Sequence, residues 1–287
     1  MKDMSGHSYI FYFMLIPVLI VMALFFIYPL FRVFYLSFFS YNPIFGKKYV
    51  GLQQYYEVLT DKVFISTVIR NLVYVVAVVI ANLIIGMCYA LLTYKAARGI
   101  KILRVILILP IFFIPAVTAV TWSLLYNEQI GLINHLLEFI GLSRRTWLAS
   151  ARTAFPAVII TDIWGWTPFV YLILLAGIQN LPVEPLEAAE IDGASAFQRF
   201  KYVILPMMKP IIAIAVIIKS MDAFRTFVFM WIMTGGGPGD STHVLSTLIY
   251  DRAFNHFKFG LGSTMSVITF FVALILSYIL LTVFKER

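Results

Sequence analysis

Three ionisable residues interrupt a long apolar stretch of the chain. Lys219, Asp222 and Arg225 lie at i, i+3 and i+6 within residues 211–233. A charge buried in hydrocarbon is costly, so such residues need either a partner or a functional reason. Because Asp222 can pair with either neighbour on one helix face, two interpretations remain open. The group is either a self-neutralised cluster that orients its helix or a set of polar groups that contact a substrate.

A carboxylate and two aromatic residues interrupt a second apolar stretch, residues 155–178. Asp162 and Trp166 lie at i and i+4, which places them on one helix face. Such a pair suits a sugar, whose hydroxyls bond the acid while its C–H face stacks on the ring. Tryptophan also favours membrane interfaces, so the competing interpretation is that Trp166 anchors its helix at the membrane interface. Together with Tyr171 and the three residues above, this pair forms the predicted substrate path.

The composition places these stretches in a lipid bilayer. Hydrophobic residues make up 61% of the 287 residues and charged residues only 13%, whereas a soluble domain has about 25% charged residues. The net charge of +8 is dispersed among spans and short loops, as membrane topology requires, so we expect no nucleic-acid partner. The single cysteine, Cys88, excludes an internal disulfide, and the scattered histidines indicate no metal site.

Six apolar runs reach the ~20 residues that a helix needs to cross the hydrocarbon core. The first run is too long for a signal peptide and lacks a small-residue cleavage site, so we expect it to remain as a span. Prolines within the runs are expected to bend their helices unless neighbours compensate. The sequence predicts an all-α polytopic membrane protein with a single domain, residues 1–287, and spans near 9–34, 72–94, 105–126, 155–178, 211–233 and 264–284.

The short loop 95–104 sets the predicted orientation. It contains Lys95, Arg98, Lys101 and Arg104 and no acid, which marks a cytoplasmic loop. The other loops also carry basic residues, but they are longer, and short loops carry most weight in this rule. We therefore expect both termini to be cytoplasmic and the loops 35–71, 127–154 and 234–263 to lie outside.

Residues 182–210 form a polar island between two of the apolar runs. Prolines and acids that suit a helix start are followed by Gly193, which suits a helix end. Ser195 or Asp192 can then cap a second helix, on which Phe197 and Phe200 are predicted to share one face with Ile204. A short amphipathic hairpin of this kind needs either a partner protein or the membrane interface to cover its apolar face.

The polar island resembles the EAA loop of the permease subunits of ABC importers. Glu187-Ala188-Ala189, then Gly193, then Val203-Ile204-Leu205-Pro206 match the spacing of that family, with Val203 where isoleucine is usual. We call residues 182–210 the EAA hairpin. The resemblance implies that it is a cytoplasmic coupling helix that docks on the ATPase subunit. The residues expected to couple the chain to the ATPase are Glu187, Ala188, Ala189, Asp192, Gly193, Phe197 and Phe200.

A glycine-rich segment, residues 234–239, follows the fifth apolar run. Its sequence, Thr-Gly-Gly-Gly-Pro-Gly, lacks the Gly-Lys-Ser/Thr of a phosphate-binding loop, so it is predicted to be a tight turn. It resembles the Thr-Gly-Gly-Gly-Pro segment of permeases in carbohydrate ABC importers. We therefore expect no enzymatic activity and no bound cofactor in this chain, with ATP and magnesium on partner ATPase subunits.

The two resemblances together imply a sugar importer in the inner (plasma) membrane of a prokaryote. The chain would form half of a translocation path for a neutral di- or oligosaccharide. Its expected partners are a second permease in a heterodimer, two ATPase subunits and an external solute-binding protein. Two alternatives remain: a permease for a polyol or glycerol phosphate, which would turn Arg or Lys towards the path, and a stand-alone secondary carrier, which would show inverted internal repeats.

Overall fold

The computed structural model describes residues 5–95 and 98–285, which divide into two compact units. Nearly all of the regular structure is helical, with one small β-hairpin. The helices are α1 (Ser5–Met22), α2 (Tyr28–Leu36), α3 (Gln53–Thr60), α4 (Lys62–Thr93), α5 (Ile100–Ile108), α6 (Pro115–Leu125), α7 (Leu132–Phe139), α8 (Ala154–Gln179), α9 (Glu184–Ile191), α10 (Ala196–Arg199), α11 (Leu205–Met207), α12 (Lys209–Phe224), α13 (Val228–Thr234), α14 (Leu245–Tyr250) and α15 (Phe259–Lys285).

One unit combines the described residues up to Phe64 with Ile249–Val272. Helices α1 and α2 are joined by a π-helical turn, Ala23–Ile27, and are followed by strands β1 (Phe39–Asn42) and β2 (Gly46–Tyr49). The strands pair antiparallel, and the Asn42 side chain accepts backbone hydrogen bonds within their turn. This hairpin is a small addition to the predicted all-α fold.

The other unit, Ile65–Leu248 with Ala273 onward, has its core around α8. Half of the residues in the most apolar stretch of α8 are buried within the structure. Its buried side chains pack with those of α4 and α12 in a cluster that includes Met87, Leu174 and Ala215. Within the described residues, four helices are long and apolar enough to cross a membrane, or up to six if each of two bent helix pairs forms one span.

The second predicted span, 72–94, is part of a longer helix. Helix α4 begins at Lys62 and includes Arg70 and Asn71. The predicted span leaves these two residues out because they are polar. Arg70 donates to the His243 carbonyl at 2.8 Å, and Asn71 donates to the Phe224 carbonyl at 3.2 Å. These contacts satisfy polar groups that hydrophobicity alone would place outside the span.

The third predicted span, 105–126, is sharply bent. A 3₁₀ turn, Leu109–Phe112, follows α5, and the chain bends by 99° before α6 begins at Pro115. Proline lacks the N–H that would continue the helical ladder, which explains the break between Pro110 and Pro115. Pro168, by contrast, lies inside α8 without ending it.

The fifth predicted span, 211–233, is also interrupted. Helix α12 ends at Phe224, and α13 begins only at Val228. The intervening backbone is held by side chains of other segments, since Asn71 donates to the Phe224 carbonyl and Ser246 donates to the Thr226 carbonyl. The break places Arg225 at the end of a helix rather than within one.

Candidate functional site

The EAA hairpin has the predicted helix–glycine–helix form. Helix α9 carries Glu184 and Glu187 in its first turn, where they complement the positive end of the helix dipole. Gly193 has a φ of +73°, a conformation that glycine adopts without strain. Ser195 then caps α10 in a capping box with Gln198, so Ser195 rather than Asp192 is the cap. The ion pair between Arg199 and Glu190, at 2.8 Å, ties the two helices together.

The two phenylalanines of the hairpin do not share the predicted exposed face. Phe197 is 71% exposed, whereas Phe200 packs half-buried against the core cluster and Ile204 is buried within it. The difference arises because the π-helical turn Phe200–Ile204 rests against the ends of α4 and α8. The hairpin is thus anchored by Phe200 and Ile204 and presents Phe197 outward.

The outer face of the hairpin exposes large apolar side chains beside polar ones. Ile191 is 86% exposed and Tyr202 is 66% exposed, in addition to Phe197. The predicted coupling residues Glu187, Ala188, Asp192 and Gly193 are exposed as well, and Ala189 is half-buried. Beneath the hairpin lies a cavity of about 580 Å³, lined in part by the ends of α4 and α8. Such a surface, polar and apolar together, has the character of a protein-docking site.

A buried ion pair lies where α4, α8 and α12 meet. The Lys219 Nζ atom is 2.8 Å from the Asp162 Oδ1 atom, and both side chains are almost fully buried. Tyr74 donates its hydroxyl to the other oxygen of Asp162, at 2.9 Å. Asp162 therefore makes a charge-assisted contact to each of the other two helices and is buried between them.

The ion pair continues to the protein surface through α12. Asp222 lies 3.5 Å from the Lys219 Nζ atom and 3.8 Å from the Arg225 guanidinium, whose side chain is 81% exposed. We call Asp162, Lys219, Asp222 and Arg225 the charge cluster. Its two acids and two bases give it no net charge. The predicted pairing of Asp222 with both neighbours is present, and the partner of Lys219 on α8 is an addition to it.

An open cavity of about 530 Å³ borders the charge cluster. Trp166 and Phe169 form an aromatic wall, with their rings at 5.9 Å and nearly perpendicular. The Lys219 Nζ atom also lies 4.8 Å from the centroid of the Trp166 ring. We call this space the aromatic cavity; it is lined by Trp166, Phe169, Ile217, Ile218, Lys219, Met221, Asp222 and Arg225.

The structure therefore divides the six predicted path residues into two groups. Trp166, Lys219, Asp222 and Arg225 line the aromatic cavity, whereas Asp162 and Tyr171 lie outside its lining and, like Lys219, have almost no exposed surface. Asp162 and Tyr171 are buried within this chain, and their place on the path stays a prediction. Tyr171 belongs to the core cluster, with its hydroxyl 2.8 Å from that of Thr93 on α4.

Sequence reasoning missed the polar residues of α4 that complete this region. Tyr74 bonds Asp162, Asn71 bonds the backbone at the break after α12, and Asn82 accepts a hydrogen bond from Thr167 at 2.8 Å. The three residues lie at i, i+3 and i+11 and so share one face of α4. A search for uncharged polar residues at helical spacing would have found them.

The glycine-rich segment 234–239 forms a tight turn, as predicted. Gly235 ends α13 in the left-handed conformation, and Thr242 closes the turn by bonding the Thr234 hydroxyl and the Gly237 carbonyl. A Cβ atom on Gly236 would overlap the imidazole of His243. The segment is thus a packed structural turn.

Comparison with known proteins identifies the family. Residues 101–287, more than half of the chain, match the family model described as "Binding-protein-dependent transport system inner membrane component". The chain belongs to this family. As an inner membrane component, it is a polytopic helical permease, and the EAA hairpin and the charge cluster lie within the matched region.

Two curated relatives match over nearly the whole chain. The trehalose/maltose transport system permease protein MalF of Thermococcus litoralis is 37% identical, over 96% of this chain and 94% of its own. The probable ABC transporter permease protein YurN of Bacillus subtilis is 33% identical, over 96% of this chain and 95% of its own. The likeness to this binding-protein-dependent permease family thus includes the segment before residue 101.

Solved structures show the same fold. A subunit of a bacterial ABC transporter involved in the import of the acidic polysaccharide alginate superposes with a TM-score of 0.85 at 20% identity, over 98% of this chain and 96% of that one. A bacterial alginate ABC transporter in complex with an alginate pentasaccharide-bound periplasmic protein gives a TM-score of 0.85 at 21% identity, over 96% of this chain and 93% of that one.

Proposed function

We propose that this chain is the permease subunit of a sugar ABC importer and forms half of the path for a neutral di- or oligosaccharide. The observation that carries this proposal is the aromatic cavity beside a charge cluster of zero net charge. Aromatic rings stack on the C–H faces of sugars, while Asp222 and Arg225 can bond hydroxyl groups. The curated relative that transports trehalose or maltose supports the same substrate class.

The charge cluster favours a neutral substrate over a phosphorylated one. A glycerol-phosphate permease would need an unneutralised Arg or Lys at its path. Lys219, however, contacts both Asp162 and Asp222, and Arg225 lies near Asp222. Both cations already have carboxylate partners, so the cavity offers hydrogen bonds without a positive field.

The partners follow from the surfaces that the chain leaves open. A second permease covers the aromatic cavity and supplies the other half of the path. Two ATPase subunits dock on the apolar face of the EAA hairpin and provide ATP and magnesium, so this chain has no enzymatic activity of its own. A solute-binding protein delivers the sugar from outside. Both termini and the hairpin are cytoplasmic in this arrangement.

Conservative substitutions in the aromatic cavity should lower uptake without reducing membrane abundance. Trp166→Phe removes part of the stacking surface, and Asp222→Asn removes the charge that bonds hydroxyls, at a cost of about 1–3 kcal/mol in binding. We expect sugar uptake by the complete transporter, at saturating binding protein, to fall about tenfold.

Tyr171→Phe is the matched control, because Tyr171 lies in the core and away from the cavity. It should lose some thermal stability and leave the KM for sugar unchanged. If abundance in the membrane falls in step with uptake for the Trp166 and Asp222 variants, the cavity residues are structural and the path assignment is wrong.

The outer face of the hairpin should be protected by the ATPase subunits. In a Cys88→Ala background, which removes the exposed native thiol, cysteines placed at Ile191 and Phe197 should react rapidly with a maleimide in membranes that hold only the permeases. Co-expression of the ATPase subunits should reduce that labelling severalfold. A cysteine at Phe200, which packs inward, should react slowly in both samples. Equal labelling of Ile191→Cys with and without ATPase would contradict the docking model.

A further inference from the structure

Two adjoining polar cavities lie in the unit formed by the described residues up to Phe64 and by Ile249–Val272. One, of about 400 Å³, lies beside the β-hairpin and α3, and the other, of about 320 Å³, lies between α3 and the turn before α15. Glu57, Lys258 and Leu261 line both cavities. We call the combined space the polar groove.

Within the described residues, four charged side chains of the polar groove have no ionic partner. Glu57, Asp61, Arg252 and Lys258 line it, and no ion pair joins any of them to a charged group elsewhere in the described parts of the chain. Glu57 accepts one hydrogen bond, from the Gln53 amide at 2.9 Å. The groove thus offers two acids and two bases for pairing with an incoming molecule.

A buried amide of the same groove also lacks a partner. Gln54 lines the groove and is only 7% exposed, and its Nε2 atom makes no hydrogen bond within residues 5–95 and 98–285. A buried donor without an acceptor is destabilising, so its retention points to a ligand that brings an acceptor. A backbone carbonyl of a bound loop would satisfy it.

The rim of the groove has the composition of a protein-binding surface. Phe45, which also lines the groove, is 87% exposed at the β-hairpin turn, and Ile44 beside it is 74% exposed. Aromatic residues such as Phe45 are enriched in protein interfaces. A neutral sugar would leave all four charges unpaired, and a lipid phosphate would pair only the two bases. A polypeptide loop supplies charges of both signs as well as carbonyl groups.

The predicted topology places the polar groove on the external side of the membrane. Its lining residues come from 40–61 and 252–258, which fall in the two loops predicted to be external, and from the adjoining start of α15. We propose that the polar groove receives a loop of the external solute-binding protein that carries both an acidic and a basic side chain. This inference rests on the proposed function and assigns the place where that partner binds.

Titration of the complete transporter with its binding protein tests this inference. In proteoliposomes, Glu57→Lys and Lys258→Glu should each raise the binding-protein concentration that half-saturates ATPase stimulation by about tenfold, because like charges then meet across the contact. Gln54→Leu should raise it in the same direction. The rate at saturating binding protein should stay near wild type. Lys48→Glu, an exposed change on β2 that does not line the groove, should have no effect.

A photoreactive residue provides a measurement that does not depend on charge reversal. Benzoylphenylalanine in place of the exposed Gln53 should form an adduct with the binding protein on irradiation. Unchanged half-saturation in all three groove variants, or adducts with lipid alone, would overturn the inference while leaving the proposed function intact. A wild-type transporter that no binding protein stimulates would overturn both.

Discussion

Replacing Asp162 with leucine should nearly abolish the accumulation of folded permease. The change leaves the ammonium group of Lys219 buried without its 2.8 Å partner, and removing one member of a buried ion pair costs about 3–5 kcal/mol. Asp222, at 3.5 Å and partly exposed, compensates only in part. Membrane abundance and the melting temperature of the detergent-extracted complex measure the loss.

The double variant Asp162→Leu/Lys219→Met distinguishes a structural role of Asp162 from a role in substrate transport. Apolar replacement of both partners of a buried pair is often neutral or stabilising, so abundance should return to near wild type. If Asp162→Leu alone instead accumulates normally and only uptake falls, then Asp162 contacts substrate and its assignment to helix packing is wrong.

Replacing Gly193 with valine should uncouple ATP hydrolysis from sugar uptake. The residue has a φ of +73°, a conformation that costs a residue with a side chain about 1–2 kcal/mol, which shifts the population of the native turn by about tenfold. A Cβ atom there meets no neighbour, so the strain is confined to the backbone of the hairpin. ATPase activity should persist while sugar uptake falls by about tenfold or more.

Gly193→Asn provides the control, because asparagine tolerates the left-handed conformation. Asparagine adds a side chain of similar size to valine at the ATPase contact, yet this variant should transport sugar at close to the wild-type rate. Normal uptake by Gly193→Val, measured at wild-type abundance, would show that the angle between α9 and α10 does not transmit the ATPase motion.

The form of the EAA hairpin could be predicted because its signals are local. Gly193 ends one helix and Ser195 caps the next through contacts within three residues, so sequence order alone determines them. The orientation of Phe200 could not be predicted in the same way. It depends on a π-helical turn and on contact with the core cluster. Neither feature can be predicted from regular helical spacing in the sequence.

The substrate region shows the limit of single-sequence reasoning more clearly. The i, i+3 contacts around Asp222 were predictable, but the pairing of Lys219 with Asp162 joins residues on two different helices. Breaks in the spans likewise depend on contacts between separate segments of the chain. Pro168 continues its helix, whereas Pro110 and Pro115 flank a sharp bend, because neighbouring segments decide whether freed backbone groups are satisfied.

The most direct test of the account is uptake of a panel of radiolabelled neutral di- and oligosaccharides by proteoliposomes that contain the permease pair, its ATPase subunits and the binding protein. We expect uptake of at least one of these neutral sugars that requires enclosed ATP and external binding protein together, and no uptake by the permeases alone. Sugar uptake by this chain without ATPase subunits, driven by its own gradient, would identify a stand-alone carrier and contradict the account.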